Sequence, residues 1–404
     1  MIGALRPSVA DAGVSLRNRT AIVGVGESDI GKVPQLSGLG LTAQAAKRAL
    51  DHAGLTVRDI DGLLTAYSLT EPFFMLGTVL CEYLGLRPRF CSSVVAGGAT
   101  PAILLGHAAA AIVTGRASCV LVCTGENRAT GVSRDAAVSS LASAVGHPYF
   151  EHPFGISIPG CYAMIAQRYM HEYGITREQL ARVPVVTRKH AALHPTSHMK
   201  TPITVEDVIA SKPIASPLNL LDCCLISDAA GAFIVTSAER ARDITDRPVY
   251  LLGVGECHTH EYIVCAEDLV HFGVRESGEG AYRMAGLGPS DIDVAQLYDC
   301  FSIVPILELE ELGFCRTGEG AAFYAEGHAA IGGKLPVNTH GGMLSHAHAG
   351  ATGGMLGIVE AVAQLRGECG ERQVRDARTA LVHNEGGVLS SNCTVILAND
   401  MRQA

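Results

Sequence analysis

Short apolar runs broken by glycine alternate with helix-like stretches, and this order is written twice along the chain. The strand-like run "AIVGVGES" (Ala21–Ser28) returns as "YLLGVGEC" (Tyr250–Cys257). The segment "ALDHAGLTVRDID" (Ala49–Asp61) returns as "AYRMAGLGPSDID" (Ala281–Asp293), in the same order and with similar spacing. In each copy an apolar run precedes a helix, a Gly-Leu turn follows, and Asp-Ile-Asp leads into another apolar run. The pattern predicts two α/β halves, residues 1–245 and 246–404, joined near Arg240–Arg247. Strands that alternate with helices favour largely parallel sheets covered on both faces.

Each half also has a Gly-rich entry into an Ala-rich helix: "SVVAGGATPAILLGHAAAAIVTG" (Ser93–Gly115), and "NTHGGMLSHAHAGATGG" (Asn338–Gly354) running into "MLGIVEAVAQLRG" (Met355–Gly367). A helix start carries unpaired N–H groups and partial positive charge. Two such starts placed face to face would make a pocket suited to an oxyanion or enolate. The first half carries extra sequence, about residues 126–222, of the size that forms a lid or binding subdomain. Within it, Thr176 and Gln179 read as a capping box, and Thr204 as a second helix cap.

Composition narrows the function. The 404 residues are 48% hydrophobic and 18% charged, with a formal net charge of −9, which argues for a large core and against a nucleic-acid partner. The 13 Cys are scattered, with no Cys-x-x-Cys, as expected of reduced thiols in a cytoplasmic protein. No basic-then-apolar leader is evident at the N-terminus. The apolar run Ala99–Gly115 is shorter than the ~20 residues of a membrane span and holds His107, so it reads as a buried helix. His258/His260 and His346/His348 are two His-x-His pairs without a third ligand at motif spacing, so no metal is expected. The Gly-x-Gly of "GVGESDIG" lacks the last glycine of a dinucleotide fingerprint and reads as turn chemistry.

The C-terminal motifs "QLYDCFS" (Gln296–Ser302), "ELEELGFCRTGEG" (Glu308–Gly320), "LPVNTHGGMLSHAHAGATGG" (Leu335–Gly354), "QLRGECGERQV" (Gln364–Val374) and "HNEGG" (His383–Gly387) follow one another in the order of the thiolase superfamily. The chain resembles its lipid-transfer-protein and sterol-carrier-protein thiolase branch. The resemblance implies a duplicated α/β fold with a layered α-β-α-β-α core, a homodimer, and acyl-CoA thioesters as substrates with no permanently bound cofactor.

Departures from the family pattern shape the expected chemistry. The family's nucleophilic Cys falls on Gly98, and Cys91 lies seven residues earlier, on a strand, as a structural residue. The family's His-Asp-Cys-Phe appears as Tyr298-Asp299-Cys300-Phe301, while His348 keeps the family's imidazole, with His346 as a neighbour that could substitute. This pattern resembles thiolase-like steroid side-chain aldolases that pair with a small OB-fold/zinc-ribbon subunit. Related acyltransferases, and a non-catalytic acyl-CoA-binding subunit, are the alternatives. Retro-aldol cleavage needs no nucleophile: a base takes the β-hydroxyl proton, a ketone leaves, and an enolate remains on the thioester. Backbone N–H groups at Gly97, Gly98, Gly386 and Gly387 are the expected oxyanion donors, each worth ~3 kcal/mol. Tyr298 and His348 are the expected acid–base pair, with Asp299 orienting the neighbourhood.

Overall fold

The two copies of the repeated run become β1 (Thr20–Glu27) and β8 (Val249–His258), which pair antiparallel through Ala21–Tyr250 and Ile22–Val249. The computed structural model describes residues 15–133, 135–136, 139, 143 and 146–401. From the β1–β8 seam one nine-stranded sheet extends both ways, in the order β3-β2-β4-β7-β1-β8-β11-β10-β9. On one side lie β7 (Asp228–Ser237), β4 (Cys119–Asn127), β2 (Gly62–Thr65) and the edge strand β3 (Phe90–Ser93). On the other lie β11 (Ser391–Ala398), β10 (Thr379–Gly386) and β9 (Val294–Gln296). Only β2–β3, β2–β4 and β9–β10 run parallel among the described pairs. The expectation of largely parallel sheets is therefore corrected. β10 turns straight back into β11, and β7 returns beside β4 after a long excursion, so both pairs are antiparallel.

Helices α1 (Gly38–Ala53) and α2 (Leu76–Leu84) cover the outer face of the first half-sheet. The buried helix expected at Ala99–Gly115 is α3 (Thr100–Val113), and within it only His107 is exposed. Between β4 and β7 come α4 (Ile158–Tyr173), α5 (Arg177–Leu180), α6 (Arg182–Leu193), α7 (Val205–Ala210) and a small hairpin of β5 (Pro213–Ala215) with β6 (Leu218–Asn219). After α8 (Ala238–Ile244) and β8, helix α9 (Val274–Ala285) covers the second half-sheet. Then follow α10 (Val304–Glu311), α11 (Gly320–Ala325) and α12 (Thr352–Arg366). Helices α3 and α12 pack on each other and on strands of both halves, between the two half-sheets. Both are apolar on nearly every face, as a helix enclosed on all sides must be. The layers are thus α-β-α-β-α.

Glycine in the repeated "GVG" has a different role from the turn expected of it. A Cβ on Gly24 would lie 2.3 Å from the Ala49 carbonyl of α1, and one on Gly253 would lie 2.1 Å from the Ala281 carbonyl of α9. These glycines sit inside strands and let each outer helix approach the sheet closely. The expected caps are present: Thr176 Oγ1 accepts from Gln179 N and Gln179 Oε1 accepts from Thr176 N, at 3.3 and 2.9 Å, and Thr204 caps α7. Among the described residues no helix is long and apolar enough to cross a membrane.

Candidate active site

The site is built where α3 and α12 begin. Gly97 and Gly387 have φ of +56° and +72°, a region that favours glycine. A Cβ on Gly97 would lie 2.7 Å from Gly386 Cα and from Gly387 N, and one on Gly386 would lie 2.0 Å from the Ala96 carbonyl. The Gly97-Gly98 and Gly386-Gly387 turns therefore touch backbone to backbone. A Cβ on Gly354, in the first turn of α12, would lie 2.7 Å from the Gly98 carbonyl, so the two helix starts also meet.

Tyr298 fills the space beside Gly98. A Cβ on Gly98 would fall 2.0 Å from the Tyr298 hydroxyl oxygen and 2.5 Å from the Glu385 carbonyl. The phenol tip thus occupies the volume that any side chain at position 98 would need. Tyr298 follows β9, is 5% exposed, and its N–H donates to Glu308 Oε2 at 2.8 Å. Burial, with Glu385 nearby, holds its hydroxyl well above the usual phenol pKa, so it keeps its proton.

Glu385, which the sequence analysis passed over in favour of its glycine neighbours, lies at the end of β10. Its Oε1 accepts from the Tyr162 hydroxyl at 2.6 Å and from the Cys300 thiol at 3.2 Å, and its Oε2 accepts from Leu389 N at 2.9 Å. Burial pushes its carboxyl up to about 7, against the pull of those hydrogen bonds. A carboxylate inside the apolar strand "TALVHNEGG" was the signal for it. Tyr162 on α4 and Cys300 carried no such signal.

His348 lies on the extended stretch before α12. A Cβ on Gly353 would lie 3.0 Å from His348 Cδ2, which places the ring beside the start of α12. The ring is 9% exposed and its Nδ1 is 3.2 Å from Cys224 Sγ. Burial and the Arg128 charge push its pKa down to about 3, so the imidazole is neutral near pH 7. Cys224, noted in the sequence only as half of a vicinal pair, has its thiol pushed well up by burial. The segment it opens joins the two parts of the site: Cys224 N donates to Cys300 O at 2.9 Å, Leu225 N to Met343 O at 3.0 Å, and Ser227 N to His348 O at 3.0 Å.

Asp299 fastens the loop itself. Its Oδ1 accepts from Met343 N at 2.6 Å, and a Cβ on Gly342 (φ +57°) would lie 2.0 Å from its Oδ2. Burial raises its carboxyl to about 7, although the Met343 and Leu344 amides lower it.

Tyr298, His348, Asp299 and the four glycines are thus gathered, and His346 is not. A π turn over Gly342–His346 sends the His346 side chain elsewhere: its Nδ1 is 2.9 Å from Ser197 Oγ and its Nε2 is 3.4 Å from Glu27. Cys91 sits exposed on the edge strand β3, its thiol 3.9 Å from that of Cys81. His258 pairs with Glu256 at 3.5 Å with its side chain 52% exposed.

A family model described as thiolase C-terminal domain-like matches residues 255–399. The 17-hydroxy-3-oxo-4-pregnene-20-carboxyl-CoA lyase of Mycobacterium tuberculosis is 39% identical over 365 residues, which span 87% of this chain and 92% of that protein. An acetyl-CoA acetyltransferase of Methanothermobacter thermautotrophicus is 33% identical over 371 residues, 91% of this chain and 96% of that protein. The solved Ltp2-ChsH2(DUF35) aldolase superposes with a TM-score of 0.85 at 36% identity, covering 96% of this chain and 100% of that one. Likeness of this degree along nearly the whole length, on a layered fold whose two central helices start at one glycine-lined site, makes the chain a member of the thiolase superfamily.

Proposed function

We propose that the chain is the thiolase-like subunit of a carbon–carbon lyase that cleaves a β-hydroxyacyl-CoA by retro-aldol chemistry. The observation that carries this reading is the Tyr298 hydroxyl standing where a nucleophile at position 98 would be. With that position filled, the site has acid–base groups beside a backbone cradle and no side chain there to hold an acyl group.

In this reading the neutral His348 imidazole takes the β-hydroxyl proton. The Cα–Cβ electron pair moves onto the thioester as an enolate and the ketone leaves. Amides of Gly97-Gly98 and Gly386-Gly387 hold the enolate oxygen. Tyr298 gives its proton to Cα, which yields the shortened acyl-CoA, and His348 then returns a proton to the phenolate. The cycle consumes no free coenzyme A. The relative named as a pregnene-carboxyl-CoA lyase points to a steroid side chain as the acyl group. The solved aldolase of the same fold is named as a complex with a DUF35 subunit, and that likeness supports a small OB-fold/zinc-ribbon partner here.

A second reading has one observation in its favour. Cys224 Sγ lies 3.2 Å from His348 Nδ1, the spacing of a thiol and its base, which would suit acyl transfer. Burial of that thiol disfavours the thiolate it would need.

The test is product analysis. The chain, co-expressed with its OB-fold/zinc-ribbon partner, is given a β-hydroxyacyl-CoA bearing a steroid tertiary alcohol. Equal amounts of ketone and shortened acyl-CoA, formed without added coenzyme A, support the lyase. Turnover only of a β-ketoacyl-CoA, and only with added coenzyme A, rejects it in favour of thiolysis.

A further inference from the structure

Away from Tyr298 and His348, a second cluster joins three distant parts of the chain. Glu27 ends β1, His194 follows α6, and His346 ends the π turn of the loop. One carboxylate oxygen of Glu27 and one ring nitrogen of each His all lie within 4.8 Å of one another. Both imidazoles are buried, and their rings meet edge to face at 4.4 Å. Among the described residues this is the one group of three or more His, Cys, Asp and Glu side chains so disposed.

Hydrogen bonding leaves this cluster short of a positive charge. The Ser197 hydroxyl donates to the His340 carbonyl at 3.1 Å, so its oxygen accepts from His346 Nδ1–H at 2.9 Å. With a single proton on the ring, that bond places it on Nδ1 and leaves Nε2 bare. Nε2 is fully buried, has no hydrogen-bond partner among the described residues, and faces Glu27 Oε1 at 3.4 Å. A nitrogen lone pair then confronts a carboxylate lone pair, which is repulsive unless a cation lies between them. A proton would serve two donors. The arrangement offers three: His194 brings the third, a ring nitrogen within 4.8 Å of the other two donor atoms, while its Nδ1 accepts from Thr196 N at 3.3 Å and lies 3.3 Å from Thr196 Oγ1. The adjacent Arg372 guanidinium is already held by Glu360 at 3.0 Å.

We propose that Glu27, His194 and His346 bind a divalent transition-metal ion of the zinc type, with a fourth position left for water. The donor set suits zinc, and the 3.4 Å between Nε2 and Oε1 matches the ~3.3 Å edge of a tetrahedron with ~2.0–2.1 Å bonds. Ser197 is the outer partner that orients His346. The ion ties β1 and the segment after α6 to the loop, two residues before His348. Its role is to hold that loop in place, whichever reaction His348 serves.

The test uses the full chain without a polyhistidine tag. The protein is stripped with a chelator, loaded with Zn2+, gel-filtered and assayed for metal by mass spectrometry. One equivalent per chain is expected in the wild type, and a loss of most of it in His194→Asn and in the isosteric Glu27→Gln. If one variant fails to fold by circular dichroism, the other carries the comparison. Loading with Co2+ should give the visible d–d absorption of a four-coordinate site in the wild type alone. The chelator should lower the Tm of the wild type and leave that of the variants unchanged. No retained zinc in the wild type would overturn the proposal and leave the cluster an imidazolium–carboxylate pair. Equal zinc in wild type and variants would place the metal on the thiols and overturn it as well.

Discussion

Gly98→Ala is the smallest change that separates the space at position 98 from everything else in the site. Its Cβ would arrive 2.0 Å from the Tyr298 hydroxyl oxygen, 2.2 Å from Cζ and 2.5 Å from the Glu385 carbonyl. Ordinary contact begins at 3.4 Å, so the phenol tip must retreat by about 1.4 Å, and the backbone carbonyl cannot give by a rotamer change. Overpacking of this kind costs about 1–3 kcal/mol of stability. Misplacing a reacting group by ~1 Å costs about 100-fold in rate, or ~2.7 kcal/mol of transition-state stabilisation. Gly357→Ala is the control, since on the same central helix layer its Cβ would meet only Gln296 Cβ at 3.4 Å and Val382 Cγ1 at 3.7 Å. It should keep full turnover and gain about 0.5–1 kcal/mol from helix propensity. Turnover is followed by release of the shortened acyl-CoA, and folding by circular dichroism and thermal melts. Gly98→Ala within twofold of wild type would refute the placement of Tyr298 at the reacting atoms.

Tyr298→Phe removes only a hydroxyl, and His348→Ala only an imidazole; each should lower kcat by roughly 100-fold or more with the fold intact. The double variant should be far less than multiplicatively worse if one proton path uses both groups, which steady-state kinetics on all four proteins will show. Glu385 gives a pH signature. Its folded pKa of about 7 lies above its ordinary value of 4.5, so unfolding releases a proton between those pH values and stability falls as pH rises through that window. The contribution is roughly 3 kcal/mol at most. Denaturant melts should therefore show a shallower loss from pH 4.5 to 7 in Glu385→Gln than in wild type, with Asp299 and Glu311, both also raised to about 7, among the buried carboxyls that supply the slope that remains. Equal slopes in both proteins would contradict the protonated carboxyl.

The sequence made the layered fold legible because the repeat is strong and because an apolar run without a polar face must be enclosed. Tyr298 and Gly98 were legible as a register, one motif position each, but not as a contact: nothing in the linear order says that a phenol 200 residues away fills the space of the missing side chain. The sequence favours His348 over His346 on motif position alone, since their separation in space depends on a π turn that Asp299 fastens from the segment after β9. Glu27 was read as part of a strand, and only the packing of β1 against the loop brings its carboxylate to His346. Strand direction failed for a similar reason, because helices that alternate with strands do not reveal which strands turn straight back.

The most direct measurement is the mass of the intact chain during turnover. A β-hydroxyacyl-CoA is mixed with excess enzyme, quenched in acid within one turnover, and the protein is weighed and its cysteines mapped. Carbon–carbon cleavage without a nucleophile predicts unmodified protein at every time point, while ketone and shortened acyl-CoA accumulate together. An acyl group on Cys224 that forms and decays at the rate of turnover would contradict it, and would make the chain an acyltransferase.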